Sequence, residues 1–422
     1  MTRKIIDNQK KDFIWNSIAG LVNAGESVII LMICTRTKGI ETAGMFAIAF
    51  AIANLMMAIG KFGMRTFQVT DAADEFEDGT YFLSRCITVL LMIITSLVWE
   101  CINVYRGIHT IYRAFVIFFL CLIYAVEAIE DFFAGLYQKK GRLDLGNKVF
   151  IVRWCCIFVL FFIGFRLEMN TLYVEVAALM LSLAVEVVFL KVFNKKLKIH
   201  RITVTTVKLK QLFINCFALF LIAFLSLYIT NAPKYSIDRY LDLEVQAKYG
   251  FIAMPVFVIS LLNSFLYQPL LVKMSILWEE KKCLSLLRII KKQTIYILII
   301  SIIVLTVSYV AGIPVLEWIY HVSLDGYKMP LMILMLGGMV LAVVGYEVII
   351  LTIMRCQKQI AYGYVTISFF ALTGFGICTK YYGIMGNVIY YDVIMCVLSI
   401  VFTYLIIVQL KPQVKIQIRG EG

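Results

Sequence analysis

Long apolar stretches fill this chain, and its lysines and arginines collect in every second gap between them. Hydrophobic residues make up 61% of the 422 positions and charged residues only 16%, which is more apolar surface than a water-soluble fold of this length can bury. Only helices and closed barrels satisfy all their backbone polar groups in lipid. Because these stretches are long and continuous rather than alternating, they predict an all-α polytopic membrane protein.

About twelve stretches approach the roughly 20 apolar residues that a helix needs to cross the hydrocarbon layer. The first is too long for a signal-peptide core and contains Glu26, so we interpret it as a retained helix. The predicted spans are 13–34, 43–62, 81–104, 112–137, 147–165, 171–193, 211–232, 247–271, 292–313, 330–354, 361–379 and 387–410. An even number of spans places both ends of the chain on one side of the membrane.

The charge of the gaps indicates which side that is. With the N-terminus inside, the basic residues of the cytoplasmic gaps outnumber those of the outer gaps more than twofold, so we expect both termini to be cytoplasmic. The net charge of +13 could also indicate a nucleic-acid-binding protein. The basic residues are dispersed over short loops and form no single face, so we expect the lipid bilayer, and no nucleic acid, as the partner.

The longest cytoplasmic gap, residues 194–210, divides the chain into two sets of six spans. We predict an N-terminal lobe of residues 1–200 and a C-terminal lobe of residues 201–422. A weak internal repeat supports this division: Arg36–Gly39 and Asn231–Tyr235 each follow a span, at an offset of about 200 residues. Repeated halves with a substrate site at their interface are a common design of transporters.

Signals of catalysis are absent from the sequence. No P-loop, zinc motif or nucleotide-binding fingerprint occurs, the three histidines have no partner motif, and the eleven cysteines lack ligand spacing. A membrane glycosyltransferase or polysaccharide polymerase would ordinarily have a large outer loop with catalytic residues, and the outer gaps here are short. We therefore predict no catalytic residue, no metal site, no cofactor and no enzymatic activity.

Ionisable residues inside predicted spans are costly, at about 2.5–3.5 kcal/mol each, and so point to function. Glu26 shares a helix face with Asn23 in the first span. The fourth span carries three acids spaced i, i+3 and i+4, which must face protein or water: Glu127, Glu130 and Asp131. Arg153 of the fifth span lies at the depth of Glu130, so either an ion pair or a role in proton or cation coupling is open. Two further acids in later spans, Glu347 and Asp392, could line a cavity or bond a neighbouring helix.

Four segments resemble bacterial polysaccharide (Wzx-like) flippases of the multidrug/oligosaccharidyl-lipid/polysaccharide exporter superfamily: Arg36–Gly39, Ala43–Phe46, Ile59–Asp71 and Asn231–Asp238. The resemblance implies two six-helix lobes around a central cavity that works by alternating access in the bacterial cell membrane. It implies an undecaprenyl-diphosphate-linked oligosaccharide as substrate, moved from the inner to the outer leaflet. A polysaccharide polymerase and glycosyltransferases are the candidate protein partners.

By the same resemblance, cations and a polar residue near the span ends would bind the substrate: Arg36, Lys38, Asn231, Lys234 and Arg239 at the outer mouth, and Arg65 or Arg153 at the inner one. Snorkelling of Arg36 and Arg65 at span ends is an equally simple interpretation. The deep interior is more acidic than a diphosphate site requires, which suggests that Glu26 or the acids of the fourth span couple transport to H⁺ or Na⁺. The alternative function is a drug or small-cation antiporter of the same superfamily.

Overall fold

The computed structural model describes residues 2–71, 75–194, 206–267 and 270–420, and within these ranges the regular secondary structure is helical. The α-helices are α1 (Thr2–Thr37), α2 (Ile40–Lys61), α3 (Met64–Thr70), α4 (Asp78–Tyr105), α5 (Ile111–Lys139), α6 (Leu143–Arg166), α7 (Thr171–Asn194), α8 (Thr206–Tyr240), α9 (Leu243–Tyr267), α10 (Leu271–Glu279), α11 (Cys283–Val307), α12 (Ile313–Tyr320), α13 (Lys328–Ile353) and α14 (Gln357–Gly420). A π-helical turn, Ser308–Gly312, connects α11 to α12.

The twelve predicted spans fall on helical segments to within one residue at their ends, apart from positions 268–269 of the eighth span, which lie outside the described residues. Several helices extend beyond the predicted limits, since α1 begins at Thr2 and α8 ends at Tyr240. The ninth span, 292–313, runs from α11 through the π-helical turn to the start of α12. The last two spans share α14, which is interrupted at Gly383 (φ 60°, ψ −145°), a conformation that favours glycine. Ten helical segments of the described chain are long and apolar enough to cross a membrane. The all-helical, multi-span prediction is confirmed.

Helix α4 shows how these spans reverse the pattern of a soluble protein. Its apolar side chains, such as Leu90 and Ile94, are exposed at the surface of the protein, while Arg85, Thr88 and Glu100 are buried. In water such a surface would aggregate, but in hydrocarbon it is the favourable one. The buried polar face of α4 therefore points to the interior of the helix bundle.

The chain divides into two compact units, Met1–Leu227 (unit 1) and Tyr228–Gly422 (unit 2), and the division falls within α8. In unit 1, α2 packs against α1, α4 and α5, and α5 also packs against α6 and α7. In unit 2, α13 packs against α9, α11 and α14. The sequence-based boundary at residues 200–201 lies outside the described residues, so the lobes of 1–200 and 201–422 stay a prediction.

A sharp turn separates α2 from α3 and determines where Arg65 lies. Phe62 (φ 46°) and Gly63 (φ 65°) both adopt the left-handed conformation. The Phe62 ring stacks on Phe220 of α8 with a centroid distance of 4.3 Å, and a Cβ on Gly63 would lie 2.9 Å from the Cβ of Leu219. The turn at Phe62–Gly63 is thus packed closely against α8.

Candidate functional site

Helices α1, α2, α5 and α6 of unit 1, with Arg65 of α3, line an open cavity of about 250 Å³. Its polar lining comes from all of these helices and consists of Asn16, Asn23, Lys61, Arg65, Glu127, Glu130, Asp131 and Asn147. The small residues Gly20 and Gly146 also line it. A Cβ on Gly146 would lie 2.8 Å from the Cβ of Ala134, so glycine lets α5 and α6 approach closely beside the cavity.

Glu127 is the centre of an ionic network in this cavity. Its Oε1 accepts a hydrogen bond from Lys61 Nζ at 3.1 Å. Its Oε2 accepts from Arg153 Nη2 at 2.9 Å and from the indole Nε1 of Trp154 at 3.1 Å. One carboxylate therefore joins α2 to α6 through three donors, which is how a buried charge is tolerated.

Arg153 also pairs with Glu130, with its Nε donating to Glu130 Oε2 at 2.7 Å. The side chain of Arg153 is fully buried. This geometry confirms the ion pair that the depth of the two residues predicts. A role of the pair in coupling stays a prediction.

Asp131, the third acid of α5, joins two arginines that approach from different helices. Its Oδ1 accepts from Arg65 Nη1 at 3.0 Å, and its Oδ2 accepts from Arg85 Nη2 at 2.9 Å. Arg85 Nη1 donates to the Gly60 carbonyl at 2.9 Å, and Arg65 Nη2 donates to Gln138 Oε1 at 3.0 Å. Arg85 thus satisfies a carbonyl at the end of α2 that the helix leaves free.

Glu26 lies deep on α1, where the hydroxyl of Tyr124 donates to its Oε2 at 2.6 Å. Its Oε1 is buried and has no hydrogen-bond partner in the described part of the chain. The Tyr124 ring packs edge-on against Trp154 with a centroid distance of 5.8 Å, and Trp154 in turn bonds Glu127. The Tyr124 ring therefore lies between Glu26 and the ionic network around Glu127.

The predicted cations at the outer mouth do not line this cavity. Arg36 is exposed near the end of α1, and Lys38 Nζ lies 5.8 Å from the centroid of the Phe165 ring. Arg36 is thirteen residues beyond Asn23, which corresponds to about 20 Å along a helix. The structure therefore places these two residues in the same unit as the cavity but far from it.

Three predicted substrate contacts belong to unit 2, on α8. Asn231 and Lys234 are half-buried, and Arg239 is exposed with its guanidinium 5.4 Å from the centroid of the Tyr240 ring. Nearby, the amide of Asn387 donates to the hydroxyls of Ser236 at 2.8 Å and Thr379 at 2.7 Å. These bonds join α8 to α14 on both sides of the Gly383 break.

Glu347 and Asp392, the two acids for which the sequence predicts either cavity lining or an interhelical bond, also lie in unit 2. Glu347 of α13 accepts hydrogen bonds from Ser399, at 3.0 Å, and from Thr403 of α14. Glu347 is therefore an interhelical hydrogen-bond partner that joins α13 to α14. Asp392 Oδ1 is buried without a hydrogen-bond partner among the described residues.

Sequence reasoning missed four residues of the network: Lys61, Arg85, Tyr124 and Trp154. Arg85 carried the clearest signal, because it lies inside the third predicted span, where a charge is as costly as in the fourth. Lys61 lies within the segment Ile59–Asp71 that carries the resemblance, and the sequence does not single it out as a site residue. Tyr124 and Trp154 gave no separate signal, since aromatic residues are frequent in every span.

The fold is that of a multi-pass helical membrane protein, and it is shared with solved transporter structures. A structure described as an inward-facing multidrug resistance MATE family transporter of the MOP superfamily aligns with 96% of this chain and 99% of its own, with TM-score 0.72 and 10% identity. The lipid II flippase MurJ, in an inward closed conformation, aligns over 95% and 90%, with TM-score 0.65 and 11% identity. The Vibrio cholerae MATE transporter VcmN in its bent form aligns over 97% and 98%, with TM-score 0.59 and 12% identity.

The family of the chain follows from its sequence. Residues 10–275 match the model of the family described as polysaccharide biosynthesis protein. The match covers well over half of the chain, so the protein belongs to this family. A comparison with curated proteins gives no match.

Proposed function

We propose that the protein is a flippase that moves undecaprenyl-diphosphate-linked oligosaccharide repeat units from the cytoplasmic to the outer leaflet of the bacterial cell membrane, for cell-surface polysaccharide biosynthesis. The observation that carries the proposal is the family match over residues 10–275. The fold that the chain shares with a protein described as a lipid II flippase supports it. The protein itself performs no covalent chemistry in this scheme.

The physical problem of such transport is the polar headgroup, since charges are costly in hydrocarbon. Alternating access would solve it by offering a polar cavity to one leaflet and then to the other, while the lipid tail stays in the bilayer. We assign the two lobes, residues 1–200 and 201–422, to the halves that move, with both termini cytoplasmic. On the inner side, Arg65 would bind the substrate. On the outer side, the substrate would be bound by five residues: Arg36, Lys38, Asn231, Lys234 and Arg239.

We further propose that Glu26 couples transport to H⁺, with Na⁺ as the alternative ion. Support comes from its position: Glu26 accepts one hydrogen bond from Tyr124 at 2.6 Å, whereas Glu127, Glu130 and Asp131 are each held by at least one arginine. A carboxylate that is fixed by a cation exchanges protons less readily than one bound by a neutral hydroxyl. The change in the protonation of Glu26 would then reach the cavity that Asn23 lines through the neighbouring charged residues, namely Glu127, Glu130, Asp131 and Arg153.

Depletion of the protein tests the function. We expect lipid-linked repeat units to accumulate in the cytoplasmic leaflet while their synthesis continues, which can be measured by labelling glycans on each side of spheroplast membranes. Re-expression of the chain should restore export. Unchanged export in cells that lack both this protein and any redundant transporter would contradict the proposal.

A drug or small-cation antiporter is the second candidate, favoured by the TM-score of 0.72 with a multidrug resistance transporter. Since the two chains are only 10% identical, this similarity shows a shared fold and not a shared substrate. Expression in a strain without drug exporters separates the two functions. A flippase should leave the inhibitory concentrations of cationic drugs unchanged, whereas an antiporter should raise them severalfold.

A further inference from the structure

One face of α11 carries three basic residues near its beginning, which we call the basic cluster: Arg288, Lys291 and Lys292. All three are exposed, and their spacing of i, i+3 and i+4 makes them neighbours on the helix surface. The buried side chains of α11 occupy the opposite face, namely Cys283, Leu286, Ile290, Gln293, Ile297 and Ser301. The basic cluster therefore lies on the face of α11 that is turned away from its packing partners.

Beyond the basic cluster, the same face continues as a row of apolar side chains, which we call the α11 stripe. Ile295, Ile299 and Ile302 follow the cations at helical spacing and are 55%, 48% and 56% exposed. They belong to a segment, Cys283–Tyr320, that is long and apolar enough to cross a membrane. Because exposed aliphatic side chains are favourable in hydrocarbon, the α11 stripe faces the lipid chains. The basic cluster at its end then lies at the level of the lipid headgroups.

The segment around the basic cluster contains no acid that would neutralise it. In the sequence, no aspartate or glutamate lies between Glu280 and Glu317. In the part of the chain that the structure describes, Glu280 pairs with Lys282 at 2.8 Å, and Glu279 lies 3.6 Å from Arg355. The nearest acids in the sequence are thus already in contact with other cations.

The residues of the basic cluster have no carboxylate partner among the described residues, and the Nζ of Lys292 lies 5.6 Å from the centroid of the Tyr296 ring. In this they differ from Lys61 and Arg65 of the cavity, each of which pairs with an acid of α5. A single cation at the end of a span extends into water at little cost. Like charges one turn apart on a helix repel each other, so the basic cluster is unfavourable alone and favourable around an anion.

We propose that the basic cluster binds the phosphate of an anionic phospholipid, such as phosphatidylglycerol, while the acyl chains lie along the α11 stripe. The guanidinium of Arg288 can hold two phosphate oxygens, and the two lysines add point charges. A zwitterionic phospholipid carries its own ammonium group beside the phosphate and gains less from the cations. A soluble phosphate gains the cations but not the α11 stripe. This site is independent of the proposed flippase function, because its ligand is a lipid of the membrane and not the transported substrate.

Native mass spectrometry of the full chain in detergent tests the proposal with two phospholipids of identical acyl chains, phosphatidylglycerol and phosphatidylcholine. The measurement gives the dissociation constant of the first bound lipid. We expect phosphatidylglycerol to bind about tenfold more tightly than phosphatidylcholine. Replacement of all three residues of the basic cluster by Gln should weaken phosphatidylglycerol to the level of phosphatidylcholine. Lys291→Arg combined with Lys292→Arg keeps the charge and should keep the affinity.

The matched control removes the same charge from three exposed lysines of unit 2 that are not adjacent: Lys328, Lys358 and Lys380, each replaced by Gln. This scattered variant should bind phosphatidylglycerol like the wild type. Lys380 also matches Lys292 singly, since its Nζ lies 5.7 Å from the centroid of the Tyr381 ring. Should the triple variant of the basic cluster fail to fold, Lys292→Gln against Lys380→Gln makes the same comparison, with weaker binding expected for Lys292→Gln alone.

Four results would overturn the assignment. The first two are equal affinities for the two phospholipids and an unchanged affinity after loss of the basic cluster. The third is an equal loss in the scattered variant, which would show that net charge and not position attracts the lipid. The fourth is displacement of phosphatidylglycerol by an equal concentration of glycerol 3-phosphate, which would show that the acyl chains and the α11 stripe contribute nothing.

Discussion

Arg85 of α4 and Asp131 of α5 form a salt bridge of 2.9 Å in which both side chains are less than a tenth exposed. The same guanidinium bonds the Gly60 carbonyl, so Arg85 connects α4 to the end of α2 and to Asp131 of α5. Removal of one partner of a buried pair costs about 3–5 kcal/mol, because the other charge is left without compensation. This relationship gives the first prediction.

We predict that Arg85→Met lowers the thermal stability of the protein more than Arg65→Met does. Arg65 pairs with the same carboxylate, but it is a third exposed, and such pairs contribute about 1 kcal/mol or less. Thermal unfolding of the purified variants in one detergent measures the difference. Equal melting temperatures would show that the burial of Arg85 has no energetic consequence.

Glu127 should be the least replaceable acid of the network. Glu127→Gln affects three bonds, from Lys61, Arg153 and Trp154, whereas Glu130→Gln affects one, from Arg153. Hydrogen bonds to charged groups contribute about 1.5–3 kcal/mol each, so we expect a clearly lower melting temperature for Glu127→Gln. The two variants carry the same chemical change one helical turn apart, so each serves as the control for the other.

The position of Glu26 predicts a functional effect without a structural one. We expect Glu26→Gln to abolish export at normal membrane abundance, because the amide keeps the shape and the acceptor for Tyr124 but cannot take up a proton. Tyr124→Phe removes one hydrogen bond, about 0.5–1.5 kcal/mol, and should reduce export only in part. Export in a complementation assay, with abundance from membrane blots, tests both. Full export by Glu26→Gln would show that transport does not need a carboxyl group at this position and that Glu26 has a structural role only.

The sequence predicted some parts of this molecule better than others, for physical reasons. The spans followed from hydropathy, and the acids of α5 from the cost of charge in lipid. Periodicity places Glu127, Glu130 and Asp131 on one face, but it does not indicate which neighbour that face meets. The roles of Arg85 and Lys61 depend on how α2, α4 and α5 pack, and the turn at Phe62–Gly63 that places Arg65 beside Asp131 has no periodic signal.

Asp71, in the connection between α3 and α4, predicts a pH dependence. Burial opposes ionisation, but hydrogen bonds from the backbone N–H groups of Glu75 and Phe76 and from the Tyr81 hydroxyl hold the pKa of Asp71 below its ordinary value. Since the folded state favours the charged form, the contribution of Asp71 to the free energy of unfolding is fully present above the pKa of an unfolded aspartate. It is lost as the pH falls through the lowered pKa of the folded state.

We therefore expect Asp71→Asn to lower the melting temperature at neutral pH, with a difference from the wild type that shrinks under strongly acidic conditions. Tyr81→Phe, which removes one of the three bonds, should give a smaller effect of the same direction. Melting curves over a pH series test this. A difference that grows on acidification would contradict the assigned sign.

Gly63 should tolerate no side chain, for two reasons that a matched variant separates. Its φ of 65° costs an L-residue about 1–2 kcal/mol, and a Cβ would also lie 2.9 Å from the Leu219 Cβ and 3.3 Å from the Phe220 backbone nitrogen. Gly107 has a similar φ of 71° but no atom within 4 Å of a Cβ. Gly107→Ala should therefore show the backbone cost alone, and Gly63→Ala a larger loss of melting temperature. If the two variants melt together, the close approach of the α2–α3 turn to α8 does not constrain this part of the fold.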